Sequence, residues 1–517
     1  MSTINILWVD DEVDLLKPHI LFLENKGYHV HSCNNGREAL ERIQKQLFEV
    51  VLLDENMPGL NGLETLTELK QLRPNLPVVM ITKNEEEHIM EEAIGSKISD
   101  YLIKPVNPNQ ILLSLKKLLQ HRNLVAETTI KNYQQEFRKI ALSLQDLSTH
   151  QEWADFYEKM IFWEAELEAL EDPSMFEIFE TQMQEANQLF AKFIENNYAD
   201  WLQDPKNAPT LSHQLLAQEV LPRLSSSKPT LLVVIDNLRL DQWKIISQSL
   251  TNLYTVEAEK KYYSLLPTAT QYARNALFSG MTPLAMSKTH PEWWKNDTDE
   301  GGKNLFEKEF LGAHLKRKNL DLKWSYHKIR NLTEGRQLVK SFQNHAKEQL
   351  TVVVYNFVDM ISHAKTEMEI IKELAADNKA YRSLTRSWFN NSPLLEIIQK
   401  AAMLNFNLLL TTDHGTVNVQ TPSSIIGDRE TSQNLRYKTG RGLTYEPKQV
   451  MATDDPEQLG LPRLSFNHQF VFAKEDAYFL YPKNYNYFAK LFQNSFQHGG
   501  ISLEEMIIPF VAMTPKS

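Results

Sequence analysis

Acidic residues follow two short apolar runs near the start of the chain. Asp10 and Asp11 come after INILWV, and Asp54 comes after EVVLL. Parallel strands bring their carboxyl ends to one edge of a sheet, so we expect these carboxylates in one crevice. Their mutual repulsion would be relieved by a hard cation such as Mg²⁺, which prefers oxygen ligands. Thr82 and Lys104 end two later apolar runs, and they add a hydroxyl and an ammonium that could position a phosphoryl group.

Residues 230–517 contain a second set of potential ligands, which are Asp236, Asp359, Asp413, His363, His414 and His498. The acidic residues end the runs TLLVVID, TVVVYNFVD and NLLLTTD, which again predicts one sheet edge. His363 lies four residues after Asp359, a spacing that puts both on one helical face. Three carboxylates and three imidazoles suit two ions such as Zn²⁺. Two such ions could hold the attacking and leaving oxygens of a phosphoryl transfer.

The segment PTATQYARNALFSG supplies a hydroxyl nucleophile for such a reaction. Thr268 and Thr270 both lie in a loop that leads into a helical pattern, whose N-terminus would favour a phosphate. Each residue of this second set has an ordinary interpretation when taken alone. An Asp after a strand is often a helix cap, a Thr in a loop often caps too, and a lone His is often structural. Their combined order favours a metal site.

Three segments that differ in their hydrophobic pattern must position these residues. Residues 1–120 alternate apolar runs with amphipathic stretches, which predicts a parallel sheet with helical crossovers. Residues 121–222 show long helical periodicity, with an apolar stripe made of Trp153, Phe156, Met160, Trp163, Leu167 and Leu170 that predicts a bundle core. Residues 223–517 return to an α/β pattern, interrupted by polar insertions at about 287–345 and 415–495.

Composition excludes several classes of protein. The chain has 517 residues and a net charge of −11, which argues against coating nucleic acid and against direct binding of duplex DNA. The single cysteine, Cys33, rules out disulfide frameworks and multi-thiolate zinc sites. We expect a cytoplasmic protein with no membrane association, because neither a signal peptide nor a run of about 18 apolar residues is present. Of the remaining histidines, His468 is a weak candidate for lining a pocket.

The first segment resembles response regulator receiver domains, which have a flavodoxin-like (βα)5 fold. The likeness rests on DDE near the start, DENMPGLNG around Asp54, Thr82, Tyr101 and Lys104-Pro105. It implies that Asp54 accepts a phosphoryl group from a sensor histidine kinase and that Lys104 pairs with its oxygens. Thr82 and Tyr101 would report that the site is phosphorylated. The Lys104-Pro105 bond is a candidate cis peptide.

The same resemblance implies a Mg²⁺ site. Its ligands would be the carboxylates of Asp10, Asp11 and Asp54 and the carbonyl of Asn56.

The third segment resembles the alkaline phosphatase superfamily, and within it the PglZ-type domains. The likeness rests on Asp236, P-T-x-T, Asp359-x-x-x-His363, Asp413-His414 and His498-Gly-Gly. It implies an alkaline-phosphatase-like α/β domain in which Thr270, the second threonine of P-T-x-T, is the nucleophile. The implied zinc ligands are Asp236, Thr270, Asp413 and His414 for one ion and Asp359, His363 and His498 for the other.

One element of that pattern differs. Related phosphodiesterases carry an amide three residues after the nucleophile to stabilise the developing charge, but this chain has Ala273 there. Arg274 or Asn275 could take that role, and Arg274 is favoured because a guanidinium binds phosphate through two parallel hydrogen bonds.

The whole chain is therefore expected to be an α/β multidomain protein, with a flavodoxin-like receiver, an all-α helical bundle connector and an alkaline-phosphatase-like domain. This order resembles a family of response regulators associated with type IX secretion. The resemblance implies a homodimer favoured by phosphorylation and hydrolysis of cyclic or short linear oligonucleotides. We predict that the dimer forms through the receiver face near Tyr101. Two alternatives remain open: a non-catalytic adaptor that binds a sigma factor or secretion component, and a phosphomonoesterase or phosphomutase.

Overall fold

The computed structural model describes residues 4–83, 98–170, 173–204, 206–225, 227–356, 358, 377–428 and 431–516, with the backbone alone at 120–127 and 173. These residues form two compact units, Met1–Gln135 and Glu136–Ser517. No helix among them has both the length and the apolar character needed to cross a membrane.

The first unit is built on one parallel sheet. Its described strands are β1 (Ile4–Val9), β2 (Tyr28–Cys33), β3 (Val50–Asp54), β4 (Val78–Thr82) and β5 (Asp100–Ile103). They pair in the order β2-β1-β3-β4-β5, and the described helices between them are α1 (Lys17–Glu24), α2 (Gly36–Lys45) and α3 (Gly62–Leu72). The central sequences VVLLD and VVMIT are wholly buried, as expected for parallel strands covered on both faces. The connection from β4 to β5 runs through 84–97, outside the described residues.

Helix α4 (Pro108–Leu144) passes position 120, where the sequence predicts the end of the first domain. The two compact units divide later, between Gln135 and Glu136. One continuous helix crosses position 120. The change in hydrophobic pattern at that position therefore does not coincide with a break in secondary structure. The predicted boundary at 222 falls inside the second compact unit.

Helices α5 (His150–Leu170) and α6 (Pro173–Gln203) form the expected helical connector. The predicted apolar stripe is buried from Trp153 to Leu167, whereas Leu170 is only partly covered. The ring of Trp153 lies 5.3 Å from that of Phe190 on α6, which makes the stripe a core between helices.

The second unit contains a larger set of described strands. They are β6 (Thr230–Ile235), β7 (Tyr254–Tyr263), β8 (Trp324–Ile329), β9 (Leu350–Tyr355), β10 (Asn407–Thr411), β11 (Val417–Asn418), β12 (Thr421–Ile426), β13 (Tyr437–Arg441), β14 (Thr444–Tyr445), β15 (Val450–Thr453), β16 (His468–Ala473), β17 (Ala477–Leu480), β18 (Phe496–Gln497) and β19 (Ile507–Pro515). The main sheet has the order β7-β19-β10-β6-β9-β8, in which β10, β6, β9 and β8 are parallel. The insertion at about 415–495 contains β11 to β17, which form small sheets together with β18.

The described helices of this unit after α6 lie around the sheets. They are α7 (Ser212–Leu215), α8 (Leu240–Ile246), α9 (Thr270–Ser279), α10 (Pro283–Thr289), α11 (Glu307–Arg317), α12 (Leu332–Ser341), α13 (Asn378–Asn390), α14 (Pro393–Met403), α15 (Tyr485–Phe492) and α16 (Leu503–Met506).

A buried ionic network joins the connector to the rest of the second unit. Arg382 on α13 lies 3.1 Å from Glu164 and 2.8 Å from Asp241, and it also pairs with Glu168. Arg239 binds the same Asp241 carboxylate from the loop before α8. Burial would raise the pKa of Asp241, but the two guanidinium groups hold it well below its usual value. Helix α5 therefore supplies two carboxylates, from Glu164 and Glu168, that neutralise the buried guanidinium of Arg382.

Candidate functional site

The first site lies at the carboxyl ends of β1, β3 and β5. Lys104 Nζ is 3.0 Å from Asp10 Oδ2 and 2.8 Å from Asp54 Oδ1. Asp10 and Asp54 are buried, Asp11 is exposed, and the Lys104 side chain retains 17% exposure. The expected convergence of these residues at one sheet edge is therefore seen, and the Lys104-Pro105 bond is cis.

Burial and charge set the protonation of this cluster. Burial raises the pKa of Asp54, and the neighbouring charges of Asp10 and Asp11 raise it further, against the opposing effect of Lys104. Burial would lower the pKa of Lys104, but its hydrogen bonds to Asp54 and Asp10 raise it above its usual value. One ligand atom from each of the three aspartates lies within 4.8 Å of the others, a donor set that fits Mg²⁺.

The remaining receiver residues lie around this crevice. Thr82 is buried at the end of β4, and its hydroxyl donates to Glu55 Oε2. Asn56 is exposed in the loop after β3, and Tyr101 on β5 is 40% exposed. Tyr101 therefore presents a large ring to solvent.

The second site lies at the carboxyl ends of β6 and β10. Asp236, Asp413 and His414 follow these strands and are all buried. His414 Nε2 lies 3.9 Å from Asp236 Oδ1 and 3.7 Å from Asp413 Oδ2. Asn237 turns the chain directly after Asp236 with a φ of 64°, and its N–H donates to Asp413 Oδ1.

Thr270 begins helix α9 beside this cluster. Its Oγ1 is 3.1 Å from His414 Nε2 and 3.4 Å from Asp236 Oδ1. A hydroxyl at the first position of a helix also lies in the favourable field for an anion. The geometry can therefore bring a half-buried hydroxyl and a phosphate to the same point.

Thr268 has different contacts. Its hydroxyl donates to the Gly500 carbonyl at 2.9 Å and accepts the Gly499 N–H at 3.0 Å. These bonds hold the turn that carries His498, whose ring stacks on His414 with centroids 4.3 Å apart. Thr268 thus acts as a structural residue of the turn, a distinction from Thr270 that spacing alone could not make.

The ligands expected for a second ion are only partly covered by the structure. Asp359 and His363 lie outside the described residues. His498 is described, and its Nδ1 lies 3.1 Å from the Thr268 carbonyl. The binding of a second ion by Asp359, His363 and His498 therefore stays a prediction.

Arg274 has partners other than those expected for a phosphate-binding residue. It is buried, and its Nη1 lies 2.6 Å from Asp236 Oδ2 and 3.7 Å from Asp413 Oδ2. Its Nε donates to Glu307 at 2.6 Å. The guanidinium is thus surrounded by carboxylates because α9 faces the strand ends. Asn275 instead donates to the backbone carbonyls of Gln271 and Lys303.

The donor set fits a metal of borderline softness. Asp236, Asp413 and His414 each offer one ligand atom within 4.8 Å of the others. Among the residues the structure describes, Asp413 Oδ2 is a buried oxygen without a hydrogen-bond partner, which a cation would satisfy. Two carboxylates and an imidazole suit Zn²⁺, although other divalent ions accept the same ligands.

Sequence reasoning missed four residues that support this site. Glu307 holds Arg274 and is itself bound by Lys328 at 2.9 Å; burial would raise its pKa, but the two cations lower it. Arg436 and Glu505 form a fully buried pair at 2.6 Å, and Glu505 also accepts the Gly500 N–H. Arg274 and Glu307 are 33 positions apart in the sequence, and Arg436 and Glu505 are 69 apart, so no local pattern signals either pair.

The chain matches three family models in order. Residues 6–116 match the response regulator receiver domain, and residues 123–202 match the PorX response regulator linker domain. Residues 215–513, more than half of the chain, match the BREX system PglZ alkaline phosphatase-like domain. These matches indicate Mg²⁺ in the receiver, metal ions in the alkaline phosphatase-like domain, and a sensor histidine kinase as partner.

Individual relatives match about a quarter of the chain. The transcriptional regulatory protein ZraR of Escherichia coli K12 is 37% identical over 128 residues, which are 25% of this chain and 29% of that protein. The regulator SrrA of Staphylococcus aureus NCTC 8325 is 30% identical over 135 residues, which are 26% of this chain and 54% of that protein. These alignments thus span less than two thirds of either relative.

Among solved structures, the chemotaxis protein CheY4 of Vibrio cholerae is 28% identical, with 23% of this chain and 99% of that chain covered and a TM-score of 0.22. The family models carry the assignment: the chain belongs to the PglZ alkaline phosphatase-like family, as a PorX-like response regulator in which a helical linker joins this domain to a receiver.

Proposed function

We propose that this response regulator has a zinc-dependent phosphodiesterase as its output, acting on cyclic or short linear oligonucleotides, and that it serves type IX secretion. The observation that carries the proposal is the Thr270 hydroxyl, 3.1 Å from His414 Nε2 beside two buried carboxylates. The family match supports a phosphoesterase. The preference for diesters follows from the resemblance to phosphodiesterases of the same superfamily.

In the receiver, Asp54 accepts the phosphoryl group from a sensor histidine kinase. Asp10, Asp11, Asp54 and the Asn56 carbonyl hold Mg²⁺, while Lys104 neutralises the phosphoryl oxygens. Thr82 and Tyr101 respond to the new charge, and the phosphorylated protein forms a homodimer.

In the output domain, Asp236, Asp413 and His414 with Thr270 hold one zinc ion, and Asp359, His363 and His498 hold the other. Zinc held by these residues would make the Thr270 hydroxyl easier to deprotonate and would offset the charge of the phosphate oxygens.

Thr270 Oγ1 forms a bond to phosphorus while the bond to the departing nucleoside oxygen breaks, and that oxygen leaves with a proton. Water then attacks the phosphorus of the phosphothreonine; the bond from phosphorus to Thr270 Oγ1 breaks, that oxygen regains a proton, and the product leaves with the phosphate as a monoester. The start of α9 lowers the energy of the added negative charge through its dipole. Arg274, bound to Asp236 and Glu307, fixes the carboxylate that faces Thr270 and so positions the site.

The test compares Thr270→Val with the wild type, using bis(4-nitrophenyl) phosphate, its monoester and a cyclic dinucleotide. We expect Thr270→Val to lower diester turnover by about 10³-fold or more, because the covalent route is lost. Zinc content, measured by mass spectrometry, should remain, since His and carboxylate ligands are intact.

Thr268→Ser is the matched control, because it keeps the hydroxyl that holds the Gly499 turn. Its turnover should stay near that of the wild type. Preferential turnover of the monoester would make the protein a phosphomonoesterase. Absence of Thr270-dependent turnover, with the regulatory effect of Thr270→Val intact, would contradict catalysis and favour an adaptor.

A further inference from the structure

A large cavity lies between the connector helices and the alkaline phosphatase-like domain. Its volume is about 790 Å³, within the range of about 300–1,000 Å³ that is usual for small-molecule sites. Helices α5 and α6 form part of its wall, together with the start of α13, β11, the turn between β16 and β17, and Glu504 on α16. None of the expected zinc ligands is among its described lining residues. This connector cavity is therefore separate from the site at Thr270.

Carboxylates dominate the lining of the connector cavity. Among the lining residues that the structure describes, seven are acidic and two, Arg239 and Lys379, are basic. Arg239 is already bound to Asp241, and the Lys379 ammonium donates to the Glu168 carbonyl at 3.2 Å. The lining thus keeps an excess of negative charge, which favours a cationic ligand over a phosphate.

Four of these carboxylates are accessible to a ligand. Glu180 on α6 is exposed, and Glu475, Asp476 and Glu504 are partly exposed. None of the four forms an ion pair with a residue in the described part of the chain. Burial raises the pKa of Glu180, Glu475 and Glu504, and nearby cations oppose the shift at Glu475 and Glu504 without cancelling it. A bound cation would stabilise the ionised form of each.

Apolar groups that a ligand can touch lie in the same wall. Phe176 and Met183 on α6 both line the connector cavity and are partly exposed. The face of an aromatic ring attracts a cation, and the thioether of a methionine adapts to an aliphatic chain. The wall therefore suits a ligand in which charged groups alternate with methylene groups.

A polar group of the lining is also without a partner. Tyr157 on α5 is 2% exposed, and its hydroxyl makes no hydrogen bond with any residue that the structure describes. That oxygen is not one of the fully enclosed polar atoms, so the exposure it retains is toward the connector cavity. A buried hydroxyl in this state is costly, and an N–H donor in the cavity would satisfy it.

We propose that the connector cavity binds a linear aliphatic polyamine. Its protonated amines pair with the four accessible carboxylates, and its methylene groups lie along Phe176 and Met183. The Tyr157 hydroxyl accepts one of its N–H groups. Because α6 and Glu504 belong to opposite walls of sequence origin, connector and alkaline phosphatase-like domain, the ligand holds the two together. The site does not depend on the proposed phosphodiesterase.

The test is calorimetric titration of the full-length protein with spermine at about 0.15 M salt, where weak surface attraction is screened. We expect saturable binding at one site, and no binding of tetraethylene glycol, an uncharged chain of similar length. Met183→Arg places a cation in the cavity and should weaken spermine binding about tenfold or more. Ile178→Arg adds the same charge to α6 at a 40% exposed position outside the lining and should leave the affinity near that of the wild type.

A second pair of variants covers the case that Met183→Arg does not fold. The double variant Glu180→Gln and Glu475→Gln keeps the shapes of accessible side chains and should also weaken binding about tenfold or more. The double variant Glu166→Gln and Glu257→Gln removes the same charge from exposed positions outside the lining and should have little effect. Equal weakening in both double variants would show diffuse attraction to an acidic protein and overturn the site.

Hydrogen exchange locates the bound ligand independently of any variant. Spermine should increase the protection of amides in α6, because it restrains that helix against the alkaline phosphatase-like domain. Absence of saturable binding by the wild type, or binding without added protection in α6, would overturn the proposal. A lysine tetrapeptide carries the same ammonium groups on a peptide backbone, and tighter binding of this peptide than of spermine would overturn the polyamine as the ligand.

Discussion

The two sites of this protein use the same arrangement of strands but different cations. In the receiver, Lys104 neutralises Asp10 and Asp54 and retains 17% exposure. In the output domain, Arg274 lies between Asp236 and Glu307 and is 1% exposed. Both clusters stand at the carboxyl ends of parallel strands.

The difference follows from what each site must exchange. An ammonium on a flexible stem can shift between carboxylates and an incoming phosphoryl group, so the receiver site can change its charge reversibly. A guanidinium bound on two sides by buried carboxylates is fixed by its geometry. We therefore expect the output site to be organised before a substrate arrives, and the receiver site to rearrange when it is phosphorylated.

The largest effect that would sharpen this comparison is expected for Arg274→Met. Removing the guanidinium leaves the carboxylates of Asp236, Asp413 and Glu307 buried with less compensation, which should cost about 3–5 kcal/mol. Hydrogen exchange of the β6 amides measures this loss as a local free energy of opening. The loss of opening free energy in Arg274→Met should be larger when a chelator has removed the zinc than when zinc is present. Bound cations would replace part of the missing positive charge.

Arg441→Met is the matched control, since the Arg441 side chain is largely exposed and its pair with Asp428 should contribute about 1 kcal/mol or less. A loss at Arg274 no larger than at Arg441 would contradict the view that the output site depends on a fixed buried cation.

The next largest effect is expected for Arg382→Met. This variant leaves Glu164, Glu168 and Asp241 without their shared partner, and we expect a loss of about 3 kcal/mol in the second unit. Arg239 still binds Asp241, so the loss should be smaller than at Arg274. Hydrogen exchange in α5 and α13 measures it, and protection that stays at the wild-type level would show the network to be dispensable.

A smaller loss of stability is expected for Lys104→Met in the receiver. Because the ammonium is partly solvated, its removal should cost about 1–2 kcal/mol, and saturating Mg²⁺ should recover part of that. Phosphorylation of Asp54 should be impaired, as measured by beryllofluoride binding. A loss as large as that of Arg274→Met would remove the distinction between the two cations.

The smallest effect on stability is expected for Tyr101→Ala. The ring is 40% exposed, so the free energy of unfolding should change by about 0.5 kcal/mol or less. The increase in size that beryllofluoride produces in the wild type should be lost, as measured by size-exclusion chromatography. An undiminished increase would show that dimerisation does not use this face.

The sequence predicts the strand-end residues well because the rule involved is local. Asp54, Asp236 and Asp413 each follow a short apolar run, and parallel strands must align their carboxyl ends. The buried apolar stripe of α5 could be predicted equally well, because its spacing repeats along one helix.

The ion pairs that support the site could not be predicted from the sequence in this way. Arg274 and Glu307 meet only because α11, inside an insertion, packs against α9. The contacts that distinguish Thr268 from Thr270 depend on the position of the Gly499 turn, more than 200 residues after Thr268. Such pairings arise from the folding of distant segments, and no periodicity in a single sequence encodes them.

The network around Arg382 has a consequence for how this protein can be divided or recombined. A cut near residue 222 would separate Arg382 from the carboxylates of α5 that neutralise it. A gene fragment coding only for the alkaline phosphatase-like domain would therefore encode a domain with a surplus cation in its interior. Evolution should exchange receivers on this scaffold more readily than linkers, and a minimal expression fragment should begin before α5.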